Sequence, residues 1–417
     1  MKKNVLVIGS GGREHAIVSQ LSRSPQVGHI YCAPGNAGIA QLAECVAIAD
    51  TDVEQLLRFA QAQQIDLCVV GPEAALAAGV VDTFRGAGIP VFGHTKAATQ
   101  IEASKEFAKV LMMRYHIPTA AYHSFTDYDS AMSYVRSRRS YPTVLKYDGL
   151  AAGKGVIIAR DEQEARETLE CMLVGKAYGK GSVVIEDYLE GPEFSFMAFV
   201  HHHRVYPMPL SQDHKRAYDG DKGPNTGGMG AYTPLPFISS EEEQWALEHI
   251  LQPVADAMAD EGRPLTGVLY GGLMKTADGI KVIEFNARFG DPETEVVLPL
   301  MESDAYTVFH AIATGEALES IEWRKEATVG VVMASCGYPG AYIKGAEITS
   351  VDDFDGQVLH MGTRIKDGRL ETNGGRVLMC IAHGADIPAA QQKVYAEIQK
   401  IHCSNLFYRK DVAHWAL

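Results

Sequence analysis

The segment Lys281-Val-Ile-Glu-Phe-Asn-Ala-Arg-Phe-Gly-Asp-Pro-Glu-Thr-Glu295 begins with the composition of a β-strand and ends in a glycine–aspartate–proline turn. Because side chains alternate across a strand, Glu284, Asn286 and Arg288 share one face, and apolar residues fill the other. A carboxylate and a carboxamide two residues apart offer oxygen ligands to a hard cation such as Mg²⁺, and a neighbouring arginine suits an anionic substrate. The alternative is a half-exposed strand whose polar face meets only solvent, but an acid–amide–arginine row is unusual for such a surface.

The 417-residue chain has an ordinary globular composition, with 46% hydrophobic and 22% charged residues. Its formal net charge of −14 argues against a nucleic-acid partner, because nucleic-acid binders carry a basic surface. No apolar run approaches the roughly 20 residues that a membrane span needs. The seven cysteines show no CxxC spacing, which is typical of reduced cysteines in the cytosol. We therefore expect a cytoplasmic protein of several domains that binds neither nucleic acid nor membrane.

The predicted first strand, residues 5–8, leads into the loop Gly9-Ser-Gly-Gly-Arg-Glu-His15 and then into a helix-like segment. A strand, a glycine turn and a helix in this order direct backbone N–H groups at an anion. The dinucleotide fingerprint requires a glycine where this chain has Glu14, and no acid follows the second strand to bind a ribose. The loop therefore predicts a phosphate site without NAD, and a tight turn without a ligand is the alternative.

Strands then alternate with helices as far as about residue 93, which predicts a doubly wound parallel sheet. The predicted strands are residues 46–49, 67–71 and 89–92, and the predicted helices are residues 53–63 and 74–87. Gly71-Pro-Glu73 follows a strand, at the edge of the sheet where such folds bind ligands. Glu73 is therefore either a ligand contact or an acid favoured at a helix start.

Two lysines stand out in the next part of the chain. A helix predicted for residues 104–115 carries Lys105 in its first turn, where the helix dipole disfavours a cation unless an anion is near. Lys146 ends an apolar strand, and residues 149–155 form a glycine-rich loop before another strand. The Walker A pattern fails because Gly155 replaces the hydroxyl residue and no helix follows. A glycine loop between antiparallel strands can still fold over phosphates.

The part of the chain from about residue 327 alternates strands and turns, with one late helix near residues 389–400. Its turn Thr372-Asn-Gly-Gly-Arg376 places an arginine beside glycines, a combination that forms anion sites. Earlier, residues 211–230 are polar and glycine-rich, and such a segment inside a compact domain is usually functional or disordered.

These segments together resemble a known family. Lys146, the loop at 151–155, residues 186–193 and Glu284-x-Asn286 resemble the ATP-grasp superfamily. In more detail, the chain resembles the phosphoribosylamine–glycine ligase family, whose signature is similar to Arg288-Phe-Gly-Asp-Pro-Glu-Thr-Glu295. Further similar blocks are Gly11-Gly-Arg-Glu-His15, Pro34-Gly-Asn36, Gly71-Pro-Glu73, Gln212-Asp-His-Lys-Arg216, residues 223–230 and Phe407-Tyr-Arg-Lys-Asp411. The resemblance covers nearly the whole chain.

The resemblance implies an α/β fold in several parts. Residues 1–103 would form an N-terminal, substrate-binding domain with a doubly wound parallel sheet. Residues 104–326 would form the ATP-grasp region, with a lid at about 120–190 and a body at 191–326. Residues 327–417 would form a small α+β cap.

The resemblance also implies a reaction: ATP, glycine and 5-phosphoribosylamine give glycinamide ribonucleotide, ADP and phosphate through a glycyl phosphate, in de novo purine biosynthesis. The implied cofactors are ATP and Mg²⁺ or Mn²⁺, and the expected partners are small molecules, with no obligate protein partner. Two alternatives are another ATP-grasp carboxylate–amine ligase and a regulator that binds ATP without catalysis. The presence of Lys146, Glu284 and Asn286 argues against the regulator.

The site residues that follow from the resemblance fall into four groups. The expected ATP contacts are Lys105, Lys146, Gly153, Lys154, Gly155, Glu186, Leu189 and Glu193, with Glu186 and Leu189 at adenine and Glu193 at the ribose. The expected metal ligands are Glu284 and Asn286. The expected catalytic residues are Arg288 at the glycyl phosphate, Asp213 at the glycine ammonium, and Lys215. The expected substrate contacts are Gly11, Gly12, Arg13, Glu73, Asp291, Gly375 and Arg376.

One departure from the superfamily affects the metal site. Many ATP-grasp enzymes carry a second acid on the strand before the Glu-x-Asn pair, where this chain reads Gly271-Gly-Leu-Met274. We therefore expect phosphates and water to complete the metal coordination.

Overall fold

The computed structural model describes residues 2–138, 140–149, 155–177, 179 and 181–417. The predicted nucleotide contacts Gly153 and Lys154 lie outside the described residues. Within the described part of the chain, no helix combines the length and the apolar character that crossing a membrane requires.

The N-terminal part is the predicted doubly wound parallel sheet. Its five strands lie in the order β3-β2-β1-β4-β5, all parallel. The strands are β1 (Lys3–Gly9), β2 (Val27–Pro34), β3 (Glu44–Cys45), β4 (Leu67–Val70) and β5 (Val91–Phe92). The helices are α1 (Gly12–Ser22), α2 (Val53–Ala62), α3 (Glu73–Ala78) and α4 (Val80–Gly86). Apolar side chains from both faces of the sheet are buried, as expected when helices cover both faces.

Two predicted elements in this part are wrong. The strand predicted at 46–49 is the short pair Glu44–Cys45, because the chain leaves the sheet edge after Val46 N–H donates to Cys32 O at 2.9 Å. The helix predicted at 74–87 is two helices, because Gly79 takes a left-handed conformation with φ of 90° and ends the first.

A second sheet, antiparallel and of four strands, has the order β6-β9-β7-β8. Its strands are β6 (Tyr122–Phe125), β7 (Thr143–Tyr147), β8 (Val156–Ala159) and β9 (Val183–Asp187). Helix α5 (Gln100–Ala103) and helix α6 (Lys105–Arg114) precede the sheet, and helices α7 (Tyr128–Arg138) and α8 (Glu162–Leu169) pack on it. Ser104 caps α6 by accepting from Phe107 N–H at 3.1 Å, as its position before the helix predicts. Lys146 lies on β7 opposite Val156 of β8, so the predicted pair of antiparallel strands is confirmed.

A third sheet, with order β11-β10-β16-β17, carries the first part of the segment Lys281–Glu295 on its strand β17. Its strands are β10 (Glu193–His201), β11 (Arg204–Pro207), β16 (Thr266–Thr276) and β17 (Gly279–Asn286). The helices of this part of the chain are α9 (Ser240–Ala246), α10 (Gln252–Asp260), α11 (Glu293–Val297) and α12 (Ala305–Thr314), of which α10 and α12 pack on the sheet. The strand β17 ends at Asn286, so Arg288 lies just beyond the strand that was predicted to include it.

The fourth sheet joins the C-terminal strands to part of the polar segment 211–230. Its path is β12-β15-β18-β22-β19, and β23 pairs with β18. Its strands are β12 (Gln212–Asp213), β15 (Gly230–Thr233), β18 (Ala327–Ser335), β19 (Gln357–His360), β22 (Arg376–Gly384) and β23 (Leu406–Phe407). Two hairpins, β13 (Arg216–Tyr218) with β14 (Lys222–Asn225) and β20 (Thr363–Lys366) with β21 (Arg369–Thr372), complete the strands, and α13 (Ile387–Glu397) packs on β18 and β22. Strands on either side of residue 327 therefore share one sheet.

A buried arginine fastens the hairpin β13–β14 to the C-terminal segment. The Arg409 side chain has no exposed surface and forms ion pairs with Asp411 at 2.7 Å and Asp221 at 2.9 Å. It also donates to Arg216 O at 3.1 Å. Because a guanidinium out of water is stable only when its donors are matched, these contacts fix the hairpin against the C-terminal segment.

We predict that Arg409→Met lowers the free energy of unfolding by about 3 kcal/mol, because two carboxylates would lose a buried partner. Chemical denaturation of the variant measures this. The control is Arg364→Met. The Arg364 side chain is 41% exposed and pairs with Glu371, so its loss should lower the free energy of unfolding by less than about 1 kcal/mol. Equal losses of unfolding free energy in the two variants would show that the buried ion pairs of Arg409 stabilise the protein no more than an exposed pair does.

Candidate functional site

The four sheets border one cleft of about 580 Å³. It collects residues from distant parts of the sequence, and 11 of its 26 described lining residues are charged. The predicted site residues among its lining are Arg13, Glu73, Lys105, Lys146, Gly155, Glu186, Glu284, Asn286, Arg288, Asp291 and Arg376. The described residues of four separate motifs therefore meet in one place.

Several predicted site residues are not part of that lining. Gly11 and Gly12 lie at the start of α1, and Gly375 lies just before β22. A Cβ on Gly12 would lie 2.6 Å from Glu295 Oε1 and a Cβ on Gly375 would lie 2.3 Å from Tyr338, so neither position has room for a side chain. Leu189 is half-buried just after β9. The remaining three, Glu193, Asp213 and Lys215, form a cluster of their own, described below.

A buried chain of lysines and one glutamate lines the cleft beside β7. Lys146 donates to the backbone oxygen of Ile283 at 2.9 Å and pairs with Glu186 at 3.0 Å. Lys109 pairs with the other oxygen of Glu186 at 3.0 Å and donates to Thr119 at 2.8 Å. Burial lowers the pKa of Lys109 to about 8, against the attraction of Glu186. The Glu186 side chain thus orients two ammonium groups, and its predicted contact with adenine stays a prediction.

Sequence reasoning missed Lys109, although a signal existed. Lys105 and Lys109 are four residues apart on α6, which puts both side chains on one helix face. Lys105 donates to Gly149 O at 3.0 Å, at the start of the glycine loop. Burial lowers its pKa, while Glu284 acts in the opposite direction.

The predicted metal ligands lie at the end of β17. Glu284 is paired in register with Gly272 of β16, so no side chain projects beside it from that neighbour. Its carboxylate makes no hydrogen bond to any described residue, and Asn286 Oδ1 accepts from Arg288 Nη2 at 3.2 Å. No group of three or more His, Cys, Asp or Glu ligands occurs in the described part of the chain. An available carboxylate beside an amide oxygen fits a hard divalent cation that also binds phosphate and water.

Arg288 is held by two acids, one of which was not predicted. Glu102 lies 3.5 Å from its guanidinium and Glu73 lies 3.7 Å away. Glu102 also accepts from Ala287 N–H at 2.7 Å, so it fixes both the backbone and the side chain of this turn. These acids and nearby aromatic Tyr270 raise the pKa of Arg288, although burial opposes them.

The first glycine loop holds Arg13 against the cleft. Glu14 accepts from Arg13 Nε at 2.6 Å and from Gly11 N–H at 2.6 Å. A Cβ on Gly71 would lie 1.9 Å from Glu14 Oε1, so the glutamate fills the space between β1 and β4. The residue that breaks the dinucleotide fingerprint therefore orients an arginine instead, and the anion site without NAD stays a prediction.

The second predicted anion corner is joined to the signature segment. Arg376, at the start of β22, lies 2.9 Å from Asp291 Oδ1. It donates to Asp291 O at 3.1 Å and to Gly227 O at 2.8 Å. Arg13 and Arg376, which are 363 positions apart in the sequence, thus line the same cleft.

A further polar cluster lies next to the cleft on β10 and β12. Lys215 pairs with Glu193 at 2.7 Å and lies 3.9 Å from Asp213. Burial raises the pKa of Asp213 to about 7, while Lys215 acts to lower it. Glu293, which sequence reasoning did not select, accepts from Ser195 at 2.9 Å and from Tyr270 at 2.5 Å. Carboxyl groups beside a lysine ammonium can bind an amino-acid zwitterion, because they offer partners to both its ammonium and its carboxylate.

Comparison with known proteins matches three long segments of the chain to one family. Residues 3–102 match the N domain of phosphoribosylglycinamide synthetase, residues 103–294 its ATP-grasp (A) domain, and residues 328–415 its C domain. The chain is 50% identical to the phosphoribosylamine–glycine ligase of Halalkalibacterium halodurans, over 99% of this chain and 97% of the relative. It is 48% identical to the same-named protein of Pseudomonas aeruginosa, over 99% and 98% of the two chains.

A solved structure agrees with this match. The crystal structure of phosphoribosylamine–glycine ligase from Thermotoga maritima superposes with a TM-score of 0.88 at 34% identity, covering 98% of this chain and all of that one. The agreement extends from the fold to sequence identity over nearly full length, and the chain therefore belongs to the phosphoribosylglycinamide synthetase family of ATP-grasp ligases.

Proposed function

We propose that the protein joins glycine to 5-phosphoribosylamine at the expense of ATP, giving glycinamide ribonucleotide, ADP and phosphate for purine biosynthesis. The observation that carries this proposal is the convergence of three kinds of group on one cleft. Lysines suited to a nucleotide triphosphate, an acid–amide pair suited to a divalent cation, and two arginine corners suited to a sugar phosphate all line it. A plain nucleotide-binding module has no use for the arginine corners.

ATP takes the part of the cleft beside β7. Lys105 and Lys146 neutralise its phosphates, and Glu186 and Lys109 keep Lys146 in place. Gly155 of the glycine loop is a further phosphate contact, and Gly153 and Lys154, outside the described residues, are proposed as two more. Leu189 and the Glu186 region bind adenine, and Glu193 binds the ribose hydroxyls. Such positioning accounts for most of the catalysis in phosphoryl transfer.

Glu284 and Asn286 hold the divalent cation, Mg²⁺ or Mn²⁺. When bound, such an ion neutralises phosphate charge and orients the transferring group. The residues of this chain then provide the remaining electrostatic stabilisation, with Arg288 directed at the acyl phosphate and anchored by Glu73 and Glu102.

The chemistry is two substitutions in sequence. A carboxylate oxygen of glycine attacks the γ-phosphorus of ATP, and ADP leaves. The amine of phosphoribosylamine then attacks the carbonyl carbon of the glycyl phosphate, and phosphate leaves with the carboxylate oxygen. The released phosphate takes up the proton that the amine nitrogen loses. Asp213 orients the glycine ammonium. Lys215 lies close to the carboxylates of Asp213 and Glu193 and holds both of them in position. Gly11, Gly12, Arg13, Gly375, Arg376 and Asp291 form the sugar-phosphate end of the cleft.

The predicted organisation completes the proposal. The N-terminal part at 1–103 and the cap at 327–417 close on the sugar phosphate, and the lid at about 120–190 closes on ATP over the body at 191–326. Sites for small molecules often lie at the interfaces between domains, which favours this arrangement. The protein works in the cytoplasm on small molecules and needs no obligate protein partner.

One assay separates this function from its rival, another carboxylate–amine ligase of the same superfamily. ADP release should require both glycine and phosphoribosylamine, and mass spectrometry should find glycinamide ribonucleotide. Equal ADP release with formate in place of glycine would favour the rival.

We predict that Glu284→Gln lowers turnover by about 100-fold or more, because loss of a charged metal ligand removes several kcal/mol of stabilisation from the transferring phosphoryl group. Steady-state ADP release at saturating Mg²⁺ measures it. Asp278→Asn, in the turn of the same hairpin with an 84% exposed side chain, is the control and should retain turnover. Near-normal turnover of Glu284→Gln would remove these residues from the metal site.

The pH dependence of glycine use tests Asp213. Its pKa of about 7 lies above the usual range of an aspartate, so the carboxylate that attracts an ammonium forms only as pH rises through that value. We predict that kcat/KM for glycine rises over this interval and then levels off. Asp213→Asn should lower the plateau and remove the rising limb. Identical pH profiles for the variant and the wild type would exclude Asp213 from glycine binding.

Substrate binding tests the C-terminal corner. Arg376→Ala should weaken phosphoribosylamine binding by roughly 10- to 150-fold, the range expected for a lost charge-assisted hydrogen bond. ATP affinity should stay unchanged. Arg369→Ala, which removes an arginine with a 67% exposed side chain from the same part of the chain, is the charge-matched control. If Arg376→Ala keeps its affinity for phosphoribosylamine, or loses affinity only for ATP, this turn does not bind the sugar phosphate.

A further inference from the structure

The last residue of the signature segment is a buried acid that the proposed mechanism does not use. Glu295 lies in α11, and its side chain has no exposed surface. Both neighbours in the helix, Thr294 and Val296, are also fully buried. Neither carboxylate oxygen of Glu295 has a hydrogen-bond partner among the described residues. A buried polar group without a partner is expensive, so this position requires an explanation.

The Glu295 side chain lies close to the start of α1, at the proposed sugar-phosphate end of the cleft. A Cβ on Gly12 would lie 2.6 Å from Glu295 Oε1, and a Cβ on Gly11 would lie 3.4 Å from Asp291 Oδ2. Both acids therefore point at the start of α1, and glycine at position 12 leaves the room that Glu295 occupies. Asp291 is the acid that pairs with Arg376 at 2.9 Å.

The charges around this pair are unequal. Asp291 has the close guanidinium of Arg376, and Arg13 also attracts it. Glu295 is more deeply buried, and the nearby Asp291 charge opposes its ionisation, while Arg376 favours it. Glu14 and Glu73 add further negative charge on the same side of the cleft. Burial and Asp291 together raise the pKa of Glu295 well above the usual range. Two adjacent buried carboxyl groups cannot both ionise cheaply.

We propose that Glu295 is a neutral carboxylic acid that donates its O–H to the Asp291 carboxylate, and so keeps Asp291 on Arg376. As two ionised groups the acids are both acceptors, and the Glu295 oxygens lack a donor. A single proton on Glu295 turns the contact into a hydrogen bond. It also keeps one negative charge out of a corner that must accept a phosphate. Glu295 is thus a positioning residue, and this role in binding rests on the proposed function.

The protonation state is tested first, without any substrate. Infrared difference spectra of the wild type minus Glu295→Gln should contain the carbonyl band of a protonated carboxylic acid, shifted in D₂O. The spectra are recorded at about pH 7, where ordinary carboxyl groups are ionised. The protonated fraction of Asp213, with its pKa of about 7, is common to both proteins and cancels in the difference. The control difference uses Glu316→Gln, whose side chain is 65% exposed, and should lack the band. Absence of the band from the Glu295 difference would overturn the proposal whatever reaction the protein performs.

Ligand binding tests the positioning role. The probe is glycinamide ribonucleotide, titrated by calorimetry against the wild type, Glu295→Gln and Glu295→Ala. We expect Glu295→Ala to bind at least about 10-fold more weakly, as for loss of a hydrogen bond to a charged group. The amide of Glu295→Gln can still donate to Asp291, so it should restore affinity to within about threefold of wild type.

The outcomes separate the two claims. If Glu295→Gln binds as weakly as the alanine variant, an ionised Glu295 is required and the proposal fails. If the alanine variant does not fold, the glutamine variant and the infrared band still decide. If the wild type does not bind the ribonucleotide, the proposed function fails, while the infrared result stands by itself.

Discussion

The segment Lys281–Glu295 organises the site through its backbone carbonyl oxygens. Three of them accept hydrogen bonds from cations that belong to three different parts of the chain. Lys146 donates to Ile283 O at 2.9 Å, Arg13 to Phe289 O at 3.2 Å, and Arg376 to Asp291 O at 3.1 Å. Because a carbonyl is fixed by the chain, each cation acquires a defined position before any substrate arrives. This is the preorganisation that electrostatic catalysis requires.

The acids of the site serve the same purpose. Glu186 orients Lys146 and Lys109, Glu14 orients Arg13, and Glu102 orients Arg288. Each leaves some of the donors of its cation directed at the cleft. The carboxylate of Glu284 differs because it makes no hydrogen bond to a described residue, which is what a metal ligand requires before the metal binds. A protein with a net charge of −14 thus gathers paired cations at one cleft, which is the local positive charge that the proposed anion sites need.

How far the sequence alone could predict this depends on the range of the interaction. The strands on either side of the glycine loop, the cap at Ser104 and the hairpin that carries Glu284 follow local patterns, and the structure confirms them. The break at Gly79 was also local, but glycine within a helical pattern does not by itself announce a left-handed residue. Arg288 lies beyond its strand because alternation gives the faces of a strand but not its end.

Glu102, Glu293 and Glu295 were missed for a different reason. Their partners are far away in the sequence: Glu102 meets Arg288, and Glu295 meets the turn at Gly12. No periodic pattern encodes such contacts, since they arise only when separate sheets assemble. Glu14 is instructive because its place in the sequence predicts that no dinucleotide binds, while its contact with Arg13 became visible only in three dimensions.

The central claim is that glycine is activated by phosphorylation in this cleft before the amine attacks. Glycine labelled with heavy oxygen in its carboxylate tests it directly, by mass spectrometry of the phosphate released during turnover. The account predicts that each phosphate carries one oxygen from glycine, because the bond between the carbonyl carbon and that oxygen breaks in the second step. Phosphate without the label, formed together with glycinamide ribonucleotide, would contradict the account.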